Sequence, residues 1–307
     1  MNLRLPLEPI IIDELVINWH ITEACNYACR YCFAKWGGGQ ISEVWRDHAA
    51  TSRLLKDLYA FFARDRASNP LWRRLRWHAV RLSIAGGEPT LLGERLIEVA
   101  QEARELGFAI SLISNGSRLD CKFIERLAPT LSVLGLSLDA IDPLTNARIG
   151  RACRGRSLEL PEMAAMAAQG RAVNPLLSVK VNTVVNAANA AADLSALIRA
   201  ARPARWKVMR MLPLLTDELS VTPEAFAAFI ERHAEFADIL RPEGNEEMTD
   251  SYVMVDPHGR FFQNQAAGGY RFSAAMADVG PAAAFAEATF SPTRFAGRYS
   301  SAGAPTP

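Results

Sequence analysis

The chain has 307 residues, half of them hydrophobic, with 34 Lys and Arg against 33 Asp and Glu for a formal net charge of +1. That length suits one large domain or two modest ones, the near-zero charge gives no whole-chain reason to expect nucleic acid, and no apolar run reaches the ~18 residues of a membrane span. The first residues, "MNLRLPLEPIIIDELVINWH", break their apolar patch at Pro9, Asp13 and Glu14, so no signal peptide is read there and a cytoplasmic location is expected.

In chain order, short β-branched or apolar runs at 15–20, 80–84, 108–113, 132–138, 177–185 and 205–211 predict six strands. Helical spacing predicts helices at 42–65, 92–106, 157–170, 190–201 and 222–236, the last with Thr222 as cap and Pro223 just inside. This alternation predicts an α/β fold with a parallel sheet and right-handed crossovers. Residues 1–211 form the expected core, 212–288 a C-terminal extension, and 289–307, rich in Ser, Gly, Pro and Ala, a poorly ordered tail. Such sheets carry their chemistry at the carboxyl ends of strands. The polar motifs fit that rule. Three cysteines follow the first strand, "GGEP" the second, "SNGS" the third and "SLDAID" closes the fourth, while "KVN" and "RWKVMR" lie on the fifth and sixth.

Cys25, Cys29 and Cys32 place three of the five cysteines within eight residues. Thiols of the cytoplasm stay reduced, so the group is expected to bind a metal centre. Structural zinc wants four ligands, and neither a second Cys pair nor a His pair accompanies the cluster. Three thiolates on one loop instead suit a cubane iron-sulfur cluster with one iron left open to a small chelating ligand. A zinc-stabilised binding module is the reading outside enzymes.

The CxxxCxxC spacing with Tyr31 before the third Cys, followed by a strand-terminal "GGEP", resembles the radical S-adenosylmethionine (SAM) superfamily. Further motifs, "NWHITEACNYACRYCF", "SIAGGEPTLL", "LISNGSRL", "LSLDAID" with "IGR", "KVNTVVN", "RWKVMRML" and "NEEMTDSYVMVDPHGRF", run in the order of the viperin family from residue 18 to residue 261. The resemblance implies a partial (β/α)6 barrel with a C-terminal extension, a 4Fe-4S cluster on the three cysteines, and SAM on its open iron. It implies SAM contacts from Gly86, Gly87, Glu88, Pro89, Ser114, Asn115, Ser137 and Arg151, the two glycines letting backbone approach the methionine end. It further implies removal of water from a nucleoside triphosphate (CTP, UTP or GTP): hydrogen leaves C4′, the 3′-hydroxyl leaves as water, and one further electron and proton give the 3′-deoxy-3′,4′-didehydro nucleotide, a polymerase chain terminator of antiviral defence. A flavodoxin or ferredoxin type of electron donor is implied too. The start close to the first strand matches a prokaryotic type without the membrane helix of animal viperins, and a monomer is expected. The rival within enzymes is a radical SAM enzyme that modifies a peptide or another small molecule; peptide-modifying members commonly carry further cysteines near the C-terminus, and none follows Cys153.

Alternation on the fifth strand puts Ser178, Lys180 and Asn182 on one face, and Arg205 and Lys207 alternate likewise on the sixth. Facing inward, these groups need a polar ligand such as a triphosphate; facing outward, they are merely solvated. By similarity Asn18, His20 and Lys35 are assigned to the nucleotide side, although "AKWGGGQ" after the cysteines lacks the hydroxyls of the family's "AKTS"-like stretch. Tyr252 belongs to an expected hairpin turned at 257–259 that covers the mouth as a lid. The Arg- and Trp-rich stretch 66–80 reads as a solvated cap.

Overall fold

The computed structural model describes residues 8–36, 42–265 and 268–299. All ten strands among the described residues lie in one sheet. The central parallel strands are β1 (Ile10–Thr22), β2 (Leu75–Gly86), β3 (Ala109–Ser114), β4 (Val133–Ser137), β5 (Ser178–Val185) and β6 (Arg205–Arg210), in that spatial order. These are the six expected strands, with β1 and β2 extended at their N-terminal ends by pairing from Ile10 opposite Leu75.

The strands alternate strictly. On β1, Leu15, Ile17, Trp19 and Ile21 are fully buried on the helix side, while Val16, Asn18 and His20 line a cavity on the other face. Period-two side-chain direction thus separates core from site within each strand. The helix layer is α1 (His48–Tyr59), α2 (Glu94–Leu106), α3 (Cys121–Leu127), α4 (Pro143–Ile149), α5 (Leu160–Val173), α6 (Ser195–Ala201) and α7 (Pro223–Arg232). Asp47, Asp120, Asp142 and Thr222 cap α1, α3, α4 and α7 by accepting from backbone N–H groups two or three residues on. The short helices α3 and α4 escape the periodicity because seven residues make too few turns to show it.

The residues after 211 do two unexpected things. β7 (Leu240–Glu243) adds to β6, and β8 (Val253–Val255), β9 (Arg260–Asn264) and β10 (Tyr270–Ala275) add to the opposite edge, β8 pairing in parallel with β1. The hairpin expected as a lid is therefore built into the sheet beside the first strand. The tail expected from 289 needs a second correction. After α8 (Met276–Ala286), residues 292–299 form α9 (Pro292–Tyr299), held because Phe295 is fully buried and Ser291 N–H donates to the Asp250 carbonyl at 2.8 Å. Composition hid this helix, since Phe295 is one large anchor among small and polar residues. Residues 300–307 lie outside the described residues. No helix among the described residues is long and apolar enough to cross a membrane.

Candidate active site

The cavity inside the curve of the sheet has a volume of about 510 Å³, and one wall carries all three clustered cysteines. Three neighbouring segments pin their loop. Gly87 N–H donates to the Thr22 carbonyl at 2.7 Å and Glu88 N–H to the Ala24 carbonyl at 2.8 Å, and at the end of α4 the Gly150 and Ile149 carbonyls accept from Ala28 and Arg30. A third hold comes from Glu43, whose carboxylate accepts from Glu23 N–H at 2.7 Å, the Thr22 hydroxyl at 3.0 Å and the Trp45 indole at 2.6 Å.

This packing explains the glycines more directly than ligand approach does. Gly86 has φ +132, and a Cβ at Gly87 would lie 2.2 Å from the Ala24 carbonyl oxygen. The cysteine loop itself thus requires both residues. Gly87→Ala is expected to cost on the order of 1–3 kcal/mol, read as a lower Tm together with reduced iron incorporation; a variant with wild-type Tm and iron content would show that the loop yields freely.

The three sulfurs suit an iron-sulfur cluster. Tyr27 N–H and Ala34 N–H each point at a sulfur, of Cys25 and Cys32, at 3.4 Å, the type of contact that stabilises thiolate ligands. No group of three or more His, Cys, Asp or Glu side chains among the described residues converges on a single ion. A cluster needs no such convergence, because each of its irons takes one thiolate. Burial pushes the Cys29 thiol up to about 12 and raises Cys25, so it is the metal's own charge that would hold them as thiolates.

Of the residues expected to contact SAM, Gly86, Gly87, Ser114, Asn115, Ser137 and Arg151 line the cavity, whereas Glu88 and Pro89 do not. Glu88 is fully buried behind the wall, where its carboxylate accepts from Ser114 Oγ and Asn115 N–H, both at 2.7 Å, and so locks the end of β2 to that of β3. Burial raises its pKa against those hydrogen bonds. Pro89 opens a 3-10 turn, Pro89–Leu92, beneath it. Asn115 reaches the loop, donating to Asn26 Oδ1 at 3.0 Å. Arg151 is buried and donates to the Ser137 carbonyl at 2.7 Å and Tyr31 Oη at 3.0 Å, with Asp139 Oδ2 3.6 Å from its Nε. The Tyr31 hydroxyl donates to Asp139. Neither Tyr31 nor Asp139 was singled out as a site residue, although both stand inside quoted motifs.

At the far end of the cavity, Lys180, Asn182, Arg205 and Lys207 line the wall on β5 and β6, the inward face of the two considered. Lys207 Nζ lies 2.8 Å from Glu243 Oε2 and donates to Tyr252 Oη at 2.6 Å; Tyr252 Oη donates to the same carboxylate at 2.6 Å. Arg298 of α9 completes the group, 3.1 Å from Glu243 Oε1 and stacked 3.2 Å over the Tyr252 ring. Burial and the Arg298 charge press Lys207 down to about 7 against the pull of Glu243, and burial lowers Lys180 well below its ordinary value, with Lys207 and Arg205 adding repulsion. Arg81, Arg210, Glu243 and Arg298 also line the cavity and lie outside the sequence expectation. Arg210 stands at the end of β6, where alternation sets it out of phase with Arg205 and Lys207 and so hides it from a reading of the strand.

Asn18 lines the cavity, its amide donating to the Val253 carbonyl at 3.4 Å. His20 lines it too, and burial pushes its pKa down to about 3, so the ring is neutral. Phe33, Trp36 and Phe262 surround that ring, leaving Nδ1 with no hydrogen-bond partner among the described residues. Lys35 departs from expectation. Its side chain is exposed and does not line the cavity, because Trp36, buried beside His20, takes the inward position. Residues 37–41 of "AKWGGGQ" lie outside the described residues.

Comparison with known proteins bears on this geometry. The Radical SAM superfamily matches residues 19–185. The S-adenosylmethionine-dependent nucleotide dehydratase of Psychrobacter lutiphocae is 40% identical over 290 residues, covering 93% of this chain and 95% of that protein. The protein of the same name from Pseudoalteromonas ulvae is 39% identical over 295 residues, covering 94% of each. Among solved structures, native anSMEcpe with bound AdoMet superposes with TM-score 0.55 at 16% identity, over 81% of this chain and 73% of that one, a likeness of fold. Radical SAM enzymes use a 4Fe-4S cluster and SAM, and the thiol loop described above fits that cluster. The chain is thus a member of the radical SAM superfamily and, within it, of the S-adenosylmethionine-dependent nucleotide dehydratases, enzymes that remove water from a nucleotide.

Proposed function

We propose that the nucleotide is a ribonucleoside triphosphate, with CTP, UTP and GTP as the candidates, and that the product is its 3′-deoxy-3′,4′-didehydro analogue, a chain terminator made in the cytoplasm for antiviral defence. One observation carries this reading: the cavity that holds the cysteines on one wall gathers Lys180, Arg205, Lys207 and Arg298 around the carboxylate of Glu243 on another. A triphosphate carries about four negative charges near neutral pH, and Lys and Arg bind phosphate oxygens through charge-assisted hydrogen bonds.

When bound, the cluster and SAM supply a 5′-deoxyadenosyl radical. The protein's contribution is placement and exclusion of water. Anchoring the phosphates on β5 and β6 holds the ribose between that anchor and the cysteine wall, so C4′ and not the base meets the radical. Loss of the C4′ hydrogen atom is followed by departure of the 3′-hydroxyl with one proton as water, and one electron closes the shell.

Anaerobic incubation with SAM, dithionite and each ribonucleoside triphosphate tests this. One of the three named nucleotides is expected to lose the mass of one water per turnover, and deuterium at C4′ to appear in 5′-deoxyadenosine. Deuterium transfer from another ribose carbon would rule out the C4′ step.

A pH dependence follows from the depressed lysines. Lys207, brought down to about 7, regains its proton when an anion arrives, so nucleotide binding at pH 7 to 8 is expected to take up protons and to weaken as pH rises, and the lowering of Lys180 by burial acts in the same direction. Calorimetry in buffers of different ionisation enthalpy measures the uptake, and a heat independent of buffer would contradict it. Lys180→Ala is expected to weaken binding by on the order of 1.5–3 kcal/mol with an unchanged cluster spectrum.

A further inference from the structure

The outer side of the cysteine loop carries a surface that the cavity does not use. Ala24, Ala28 and Arg30, which flank the cysteines along this loop, are exposed and do not line the cavity. Two neighbouring segments are hydrogen-bonded to this loop and extend the surface. On one side, Gly150 and Ile149 accept from Ala28 and Arg30, and Arg30 donates to the Arg148 carbonyl at 3.4 Å; this brings up α4 and the loop "RACRGR" behind it. On the other, Asn26 donates to Ser117 Oγ at 2.8 Å, which brings up Arg118.

The exposed groups of these segments have a consistent chemistry. Arg118, Arg148 and Arg154 are exposed and form no ion pair among the described residues, while Arg30 shares Glu218. Arg154 is held outward by a left-handed backbone, φ 51, at the tip of a turn closed between Cys153 and Arg156. The nearby carboxylates are engaged otherwise, Asp120 and Asp142 capping α3 and α4. Leu144, 74% exposed, stands one helical turn before Arg148 on α4. An exposed apolar side chain beside surface cations suits a docking face, and a chain of net charge +1 has gathered those cations there by placement and not by composition.

We propose that this face docks an acidic one-electron carrier protein, with Leu144 in apolar contact and Arg118, Arg148 and Arg154 on its carboxylates. The proposal rests on the electron demand of the function above: one electron cleaves SAM and a second closes the product, each leaving the carrier oxidised by one electron and passing to the cluster. No side chain of this protein supplies them. Docking over the outer side of the cysteine loop brings the carrier to the loop that holds the cluster ligands, and steering by surface charge sets the encounter rate.

The test uses the double variant Arg148→Glu with Arg154→Glu, and as a matched control Arg73→Glu with Arg76→Glu, exposed at the opposite end of β2. Dithionite-driven formation of 5′-deoxyadenosine is expected to be the same in wild type, variant and control, which also shows that all three fold. With a flavodoxin as reductant, the face variant is expected to show a KM for flavodoxin raised by about tenfold or more, and labelled flavodoxin to bind it correspondingly more weakly by fluorescence anisotropy, without turnover. Added salt should weaken the wild type and control toward the variant. Flavodoxin binding that is unchanged in the face variant, or weakened equally in the control, would overturn the docking face alone. A wild type that makes no 5′-deoxyadenosine with dithionite would remove the electron demand, and the proposal with it.

Discussion

Cys29→Ala is expected to abolish 5′-deoxyadenosine formation and to strip the protein of its visible iron-sulfur absorbance, and Cys25→Ala and Cys32→Ala to do the same. A cluster on three thiolates has no spare ligand, and no other Cys lines the cavity. Cys121→Ala and Cys153→Ala are the controls. Cys121 is the exposed first residue of α3, and Cys153 lies in the turn behind Arg151, so both should keep wild-type iron, sulfide and SAM cleavage. The three loop variants should remain folded, because Thr22, Ala24, Ala28 and Arg30 hold the loop through backbone atoms that survive the substitutions. Wild-type SAM cleavage by Cys29→Ala would remove the cluster assignment.

The parts of the site that a linear reading reaches are those built on one strand and the turn after it. The cysteines, "GGEP" and the alternating Lys180 and Asn182 belong to this class, since strand geometry alone decides their direction. Glu88 shows the limit. Its motif marks it for the ligand, yet the fold turns its carboxylate behind the wall to join β2 to β3, a pairing with Ser114 and Asn115 that lies 26 and 27 residues away. Lys35 shows another. An exposed Lys and a buried Trp stand side by side in "AKW", and of the rings that choose Trp36 for the inside, His20 lies on β1 and Phe262 on β9, more than two hundred residues on. The edge strands β7 to β10 were hidden for the same reason. They are short and polar in part, and their place is decided by which edge of the sheet is free.

Arg298 and Glu243 are the clearest omissions, and they bear on the largest stability effect. Glu243 sits at the end of β7 and Arg298 near the end of α9, 55 residues apart, and they meet over Tyr252 beside Lys207. Burial alone would raise the Glu243 carboxyl, but Lys207 and Arg298 outweigh it and bring it down to about 2. A carboxylate with a depressed folded pKa contributes stability that is whole above its ordinary value of 4.5 and lost as pH falls toward 2. Acid unfolding should therefore steepen within that window. Glu243→Ala leaves two buried cations without their carboxylate, a change that costs about 3–5 kcal/mol in comparable settings, and the Tm is expected to fall by about 10 °C. The same substitution removes a carboxylate that competes with phosphate for Lys207 and Arg298. Nucleoside triphosphate should accordingly raise the Tm of Glu243→Ala by more than it raises that of the wild type, as the ligand's charge takes the place of the missing carboxylate. Thermal denaturation with and without nucleotide reads both effects. A variant that loses stability but gains no more from nucleotide than the wild type does would mean that the triphosphate binds away from Glu243, and would move the phosphate anchor off β6 and α9.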